Sequence, residues 1–196
     1  MTSRSSRGSD ECGRPPTGRP VDAIARERQN AGVADEREVL TYDLFGTAVQ
    51  DLARQVVDSG YEPDLILSIA RGGLGLGMGL GYALDVKNLS AVNVEFYTGV
   101  DQRLDVPIML PPTPAAVELA GLRILIADDV ADTGKTLEVV RDFVADHVAE
   151  TRTAVIYEKP WTVINAEYVW RRTEKWIDFP WSSEPPLVDR RGGLAH

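Results

Sequence analysis

At 196 residues the chain is the size of one domain with short extensions, and 30 acidic against 21 basic residues leave a net charge of -9. Such a surface repels nucleic-acid phosphate and anionic lipid at range, which disfavours generic nucleic-acid binding. No apolar run approaches the roughly 20 residues that cross a bilayer, and the start MTSRSSRGSDECGRPP lacks the apolar stretch of a signal peptide, so a cytoplasmic protein is expected. The one cysteine, Cys12, lies in that polar start, which argues against a disulfide framework or a cysteine metal cluster.

Residues 1–38 are rich in Arg, Ser, Gly, Pro, Asp and Glu, with 7 Arg balanced by 7 acidic side chains. They carry too little apolar side chain to offset the entropy of ordering and read as a disordered N-terminal tail. The whole charge of -9 then falls on the body, where 23 acidic residues face 14 basic ones. Residues 39–185 form the expected domain and 186–196 a second short tail.

The body opens on a helix signal. Thr41 is an N-cap, Phe45, Val49, Leu52, Ala53 and Val56 recur at helical spacing, and Gly60 closes the segment. Asp64 to Ala70 is an apolar run of strand length that stops at Arg71-Gly72-Gly73, a strand running into a glycine turn. The next stretch has Gly at every second position from Gly73 to Gly81, and its small side chains predict a helix whose backbone approaches its neighbours closely. Val92, Val94 and Phe96 alternate with polar residues as a half-exposed strand. A polar connection, TGVDQRLD, and the prolines Pro111, Pro112 and Pro114 follow. Leu122 to Ala127 reads as a buried strand, Thr136 to His147 as a helix and Thr153 to Tyr157 as another strand, an order that implies a largely parallel sheet. The class is therefore α/β, a mostly parallel sheet flanked by helices.

Chemistry concentrates in Ile124 to Leu137. An apolar strand delivers Asp128 and Asp129 at its carboxyl end, and the turn Asp132-Thr133-Gly134-Lys135-Thr136 opens a helix. In open α/β sheets ligands bind in the crevice at those strand ends. Unpaired N–H groups, the hydroxyls of Thr133 and Thr136 and the positive end of the helix dipole suit a phosphate. Two carboxylates beside a phosphate repel it unless sugar hydroxyls or Mg2+ lie between. A P-loop is excluded, because its first glycine falls on Asp129, and the glycine-rich stretch contains no G-x-G-x-x-G. Asp132 has a second role open to it, that of capping the helix.

Ile124 to Leu137 resembles the phosphoribosyl pyrophosphate (PRPP) motif of type I phosphoribosyltransferases, an apolar strand followed by D-D-x-x-D-T-G-x-T. The resemblance implies that Asp128 and Asp129 hold the ribose diol and, through Asp129, Mg2+, while Asp132, Thr133, Gly134, Lys135 and Thr136 wrap the 5-phosphate. Arg71, Gly72 and Gly73 resemble the family's pyrophosphate loop, with a strained peptide at the Arg-Gly step. Tyr157-Glu158-Lys159-Pro160 and the segment Lys175 to Trp181 resemble the purine-binding segments of xanthine, guanine and hypoxanthine phosphoribosyltransferases, and imply a small C-terminal hood. There Lys159 would donate to the 6-oxo group, Trp176 would stack on the ring, and the backbone of Ile177 would meet the 2-substituent. Arg103 resembles an arginine of the family's closing loop. Two departures stand out: Ser182 and Ser183 replace an acid, and the connection from Thr98 to Val106 is short.

The implied reaction replaces pyrophosphate at ribose C1 with a 6-oxopurine nitrogen, giving a nucleoside 5-monophosphate. Asp132 would take or hold the N7 proton, with Asp128 and Asp129 at the same centre. The resemblance also implies a dimer or tetramer. The rival is a non-catalytic PRPP-binding regulator, and intact Lys159 and Trp176 favour the enzyme.

Overall fold

The computed structural model describes residues 37–97, 103–110, 114 and 119–188, with the side chains of 96, 97 and 103–108 outside that set. The expected N-terminal tail up to residue 36, the connection 98–102 and residues 189–196 lie outside the described residues. The chain divides into Met1–Glu36 and Arg37–His196.

The first elements are β1 (Glu38–Val39) and α1 (Tyr42–Asp58). Thr41 accepts a hydrogen bond from the Leu44 amide at 3.2 Å and starts α1 as its N-cap. Ala48, Val49, Leu52, Ala53 and Val56 form its buried stripe. Then come β2 (Leu65–Ala70), α2 (Gly73–Ala83), β3 (Leu89–Tyr97), β4 (Arg103–Leu110), β5 (Arg123–Ala131), α3 (Lys135–Ala145), β6 (Glu150–Glu158), β7 (Tyr168–Arg172) and β8 (Ile177–Asp178). Six strands make one sheet in the order β4-β3-β2-β5-β6-β7, parallel except for the antiparallel edge pair β3 and β4. The mostly parallel α/β architecture predicted from the sequence is the one observed.

Strand alternation divides the core into two layers. Ile66, Leu125, Ala127 and Ile156 face α1 and α2, while Leu65, Leu67, Ile69, Ile124 and Ile126 face α3 through Leu137, Val140 and Val144. Both sheet faces are covered, which is why these strands read as unbroken apolar runs.

Two segments differ from the sequence expectation. Arg103–Leu110 is a strand that takes in the last three residues of the expected polar connection; Met109, opposite Val94, packs with it against the core, and Pro107 is tolerated because β4 is the sheet edge. β5 runs on to Ala131, so Asp128 and Asp129 belong to the strand itself. Away from the main sheet, β8 pairs in parallel with β1, Glu38 opposite Ile177 and Val39 opposite Asp178.

At the opposite end of the sheet from those aspartates, Asp64 ties β2 to β5. Its carboxylate accepts from the Arg123 amide at 2.9 Å, from Nε at 3.0 Å and from Nη2 at 2.9 Å. The Arg123 hydrogen bonds hold this carboxyl down to about 2. A depressed carboxylate stabilises the fold above its unfolded value of 3.8 and loses that contribution as pH falls toward about 2. Asp64→Asn should therefore unfold at lower urea than the wild type at pH 7, with the gap narrowing below pH 4.

The glycine-rich helix α2 supplies a sharper test. A Cβ on Gly77 would collide with the Ser68 hydroxyl and come within 3.1 Å of Ser68 Cβ on β2, whereas one on Gly46 in α1 meets nothing within 4 Å. The same change should thus act with opposite signs. Gly46→Ala should stabilise by about 0.5–1 kcal/mol through helix propensity, and Gly77→Ala should destabilise by about 1–3 kcal/mol through overpacking. Denaturant midpoints of the two variants measure the difference.

Candidate active site

The chain steps from β2 to β3 on one side of the sheet and returns to place β5 on the other side of β2. The carboxyl ends of β2 and β5 are therefore the switch point of the sheet, where a crevice opens between diverging connections. Pairing of Leu65, Ile66, Leu67 and Ser68 with Ile124, Leu125, Ile126 and Ala127 brings the Arg71–Gly73 turn level with Asp128 and Asp129.

The approach is close enough to demand glycine. A Cβ on Gly72 would collide with the Asp129 carboxylate, and one on Gly73 with the Ala127 carbonyl oxygen and with Asp128 Cα at 2.9 Å. The turn contains a cis peptide between Ala70 and Arg71, one step before the Arg-Gly peptide expected from the resemblance. Arg71 is exposed, and its carbonyl accepts from the Leu74 amide at 3.2 Å as α2 begins.

Asp128 is buried at 8 % exposure, and its Oδ1 accepts from the Asp129 amide at 2.9 Å. Burial, reinforced by the neighbouring Asp129 charge, pushes its carboxyl well above the usual range. Burial also raises Asp129, against hydrogen bonds from the Val130 amide and the Trp181 indole. The pair therefore favours a partner that donates hydrogen bonds or brings positive charge. Among the described residues no group of three or more His, Cys, Asp or Glu gathers around a metal position. Buried carboxylate oxygens without a full cage fit Mg2+, which takes one or two carboxylates and fills its remaining positions with substrate oxygens and water.

After β5, residues 132–134 turn into α3. The N-cap is Gly134 at φ +79°, with no side-chain cap of its own, and the Asp132 carboxylate accepts from the Trp161 indole. The first amides of α3 have no partner within the helix and point toward an incoming anion. Lys135 N–H lies 3.5 Å from the Thr133 hydroxyl. Thr136, half-buried, follows in the first turn. The turn is braced from behind: the Val163 amide donates to the Thr133 carbonyl at 3.0 Å, and a Cβ on Gly134 would strike the Thr162 hydroxyl and reach 2.7 Å from Ile164 Cγ2.

The segment 159–166 brings the third group of residues. Lys159 is buried at 6 % exposure, its amide donates to the Ala131 carbonyl at 2.9 Å, and its ammonium donates to the Lys175 carbonyl. Trp161, for which the sequence reading has no role, donates its indole N–H to Asp132 Oδ1 at 3.0 Å, and its ring centroid lies 5.5 Å from Lys159 Nζ. Only its place directly after Lys159-Pro160 marked it. Trp181 stacks on Phe179 with centroids 5.0 Å apart and meets Phe45 edge-on at 5.6 Å, so it closes the core edge and reaches Asp129 at once.

Trp176 is 65 % exposed, its ring presented to solvent beside buried Ile177. The Trp176 and Asp178 carbonyls accept from Glu38 and Leu40 amides at 2.8 and 3.0 Å. By strand alternation the Ile177 carbonyl faces the opposite edge of β8. Arg103 is the first residue of β4, opposite Tyr97, and so stands on a strand where a loop was expected. Its side chain lies outside the described residues.

The phosphoribosyl transferase domain family matches residues 37–189, which covers every element described above. The xanthine-guanine phosphoribosyltransferase of Ruegeria sp. is 30% identical over 130 residues, 63% of this chain and 71% of that protein. Its counterpart in Roseobacter denitrificans is 32% identical over the same shares. Among solved structures, a purine phosphoribosyltransferase from Pyrococcus horikoshii is 37% identical, with 79% of this chain and 99% of that one covered at a TM-score of 0.67. The xanthine-guanine-hypoxanthine phosphoribosyltransferase of Helicobacter pylori, 21% identical over 74% of this chain and 93% of its own, shares the fold at a TM-score of 0.62. With a matching domain that spans the glycine turn, the paired aspartates and the helix N-terminus alike, the chain belongs to the phosphoribosyl transferase family.

Proposed function

We propose that the protein transfers the phosphoribosyl group of PRPP to a 6-oxopurine, xanthine, guanine or hypoxanthine, and releases a nucleoside 5-monophosphate and pyrophosphate. The observation that carries this reading is the approach of three units to one another: the Arg71–Gly73 turn, the desolvated pair Asp128 and Asp129, and the glycine-led N-terminus of α3. Each matches one part of PRPP, respectively its pyrophosphate, its ribose diol and its 5-phosphate.

In the reaction a purine ring nitrogen attacks ribose C1 while the bond from C1 to the pyrophosphate oxygen breaks, its electron pair leaving with pyrophosphate. Positive charge grows on the sugar, so positioning and electrostatics do more than a nucleophile would. Asp128 and Asp129 hold the ribose hydroxyls, and Asp129 is the carboxylate that would hold Mg2+. When bound, Mg2+ supplies charge neutralisation on the pyrophosphate oxygens. Arg71 adds a side-chain cation there, and Gly72 and Gly73 offer backbone amides. Thr133, Gly134, Lys135 and Thr136 wrap the 5-phosphate. Asp132 takes or holds the proton on N7 as the ring becomes cationic. Lys159 donates to the 6-oxo group, Trp176 covers the ring face, and the Ile177 backbone meets the 2-substituent from β8.

The proposal extends to context. The domain begins at Arg37, since Glu38 is paired in β1, and so takes in the last two residues of the expected tail; Arg103 belongs to a segment that closes over PRPP, and the working form is a cytoplasmic dimer or tetramer in purine salvage. No helix among the described residues is long and apolar enough to cross a membrane.

Nucleotide formation from PRPP and Mg2+ with each base supplied singly tests the reading. Turnover is expected with at least one 6-oxopurine and not with adenine, and Lys159→Ala should abolish it. Asp132→Asn should lower kcat by roughly 100-fold or more, the usual contribution of a proton-handling group. Saturable PRPP binding without turnover on any base would instead favour a regulator that senses PRPP.

A further inference from the structure

One indole joins the two groups assigned to the purine. Trp161 donates its N–H to Asp132 Oδ1 at 3.0 Å, and the Lys159 ammonium sits 5.5 Å from the centre of the same ring. An indole edge that donates to an anion and a π face that attracts a cation suit these two neighbours. Trp161 is itself 52 % exposed, so packing alone does not account for its place.

The two neighbours have opposite charge, and the purine needs both. N7 and the 6-oxo oxygen lie side by side on one edge of the ring, so a residue that handles the N7 proton and one that donates to the oxygen must stand together without bonding each other. A direct Asp132–Lys159 ion pair would satisfy both groups and turn both away from the base. In the structure the Lys159 ammonium instead donates to the Lys175 carbonyl, and Asp132 accepts from the indole.

We propose that Trp161 is a positioning residue: it holds Asp132 toward N7 and keeps it from pairing with Lys159, which makes proton handling conditional on a 6-oxo group. This rests on the purine-transfer reading above. The indole acts through Asp132 and Lys159 and does not contact PRPP. As the base expels water from the crevice, the hydrogen bond to the carboxylate strengthens, and the aim of that carboxylate decides the rate.

Steady-state kinetics with PRPP, Mg2+ and the preferred 6-oxopurine separate the possibilities. Trp161→Phe keeps an apolar face beside Lys159 and removes only the donor. It should lower kcat by about 10-fold or more, the worth of one hydrogen bond to a charged group, with KM for the base and for PRPP unchanged within about twofold. Trp161→His restores a ring N–H and should recover part of the lost kcat. Trp161→Ala frees the Asp132–Lys159 pair and should also raise KM for the base by about 10-fold. If the alanine variant does not fold, the phenylalanine and histidine variants decide.

Equal kcat in Trp161→Phe and the wild type would overturn the proposal. So would a rise in KM for PRPP in parallel with the loss of kcat, since that marks a disturbed phosphate turn, braced through Val163 and Thr133. Absence of turnover in the wild type would remove the purine-transfer reading and this inference with it. Normal wild-type turnover with an unaffected Trp161→Phe removes this inference alone.

Discussion

The parallel pairing of β2 with β5 sets where the glycine turn and the paired aspartates fall. These strands are consecutive in space but far apart in sequence, and their register puts Ser68 opposite Ala127. The turn after β2 and the aspartates at the end of β5 then reach the same height above the sheet. A slip of one residue would turn Asp129 to the opposite face and direct Leu125 and Ala127 out of the layer they share with α1 and α2. The Asp64–Arg123 hydrogen bonds fix that register from the far end, where neither residue can interfere with the chemistry.

Close approach is the second constraint. Gly72 lets backbone lie directly on the Asp129 carboxylate, Gly73 lets it lie on the backbone of β5, and Gly77 lets α2 sit against Ser68. Those contacts place amides and acids in one crevice at the cost of burying Asp128 and Asp129, whose carboxyls are both displaced upward by desolvation. A site built this way is poised for a ligand that returns to the carboxylates what burial removed. Ribose hydroxyls and a hard divalent cation are such partners.

Most of this was legible in the sequence because it is local. Thr41 as a cap, the apolar runs of β2, β5 and β6, and the turn from Asp132 to Thr136 each follow from neighbours within a few residues. The pairing of β1 with β8 was not legible, since Glu38 and Ile177 meet only through tertiary structure and each strand is two residues long. β4 was hidden by Pro107 and by the charges of an edge strand. The contact of Trp161 with Asp132 likewise joins residues 29 positions apart, and no spacing rule announces it. Asp132 read as a proton handler with helix capping as its rival role, and its neighbour Trp161, which engages the carboxylate, was not part of either reading.

We propose that the turn after β2 and the carboxylates of β5 form a single ligand site because glycine lets them touch. Titration calorimetry of PRPP with Mg2+ into Gly72→Ala tests it most directly, since an added Cβ collides with the Asp129 carboxylate while Gly72 itself has ordinary helical dihedrals of φ -59° and ψ -42°. The variant should keep its circular dichroism spectrum and bind PRPP at least about 10-fold more weakly, because a misplaced first contact costs on that order. A folded Gly72→Ala protein with wild-type affinity would show that this contact does not shape the site.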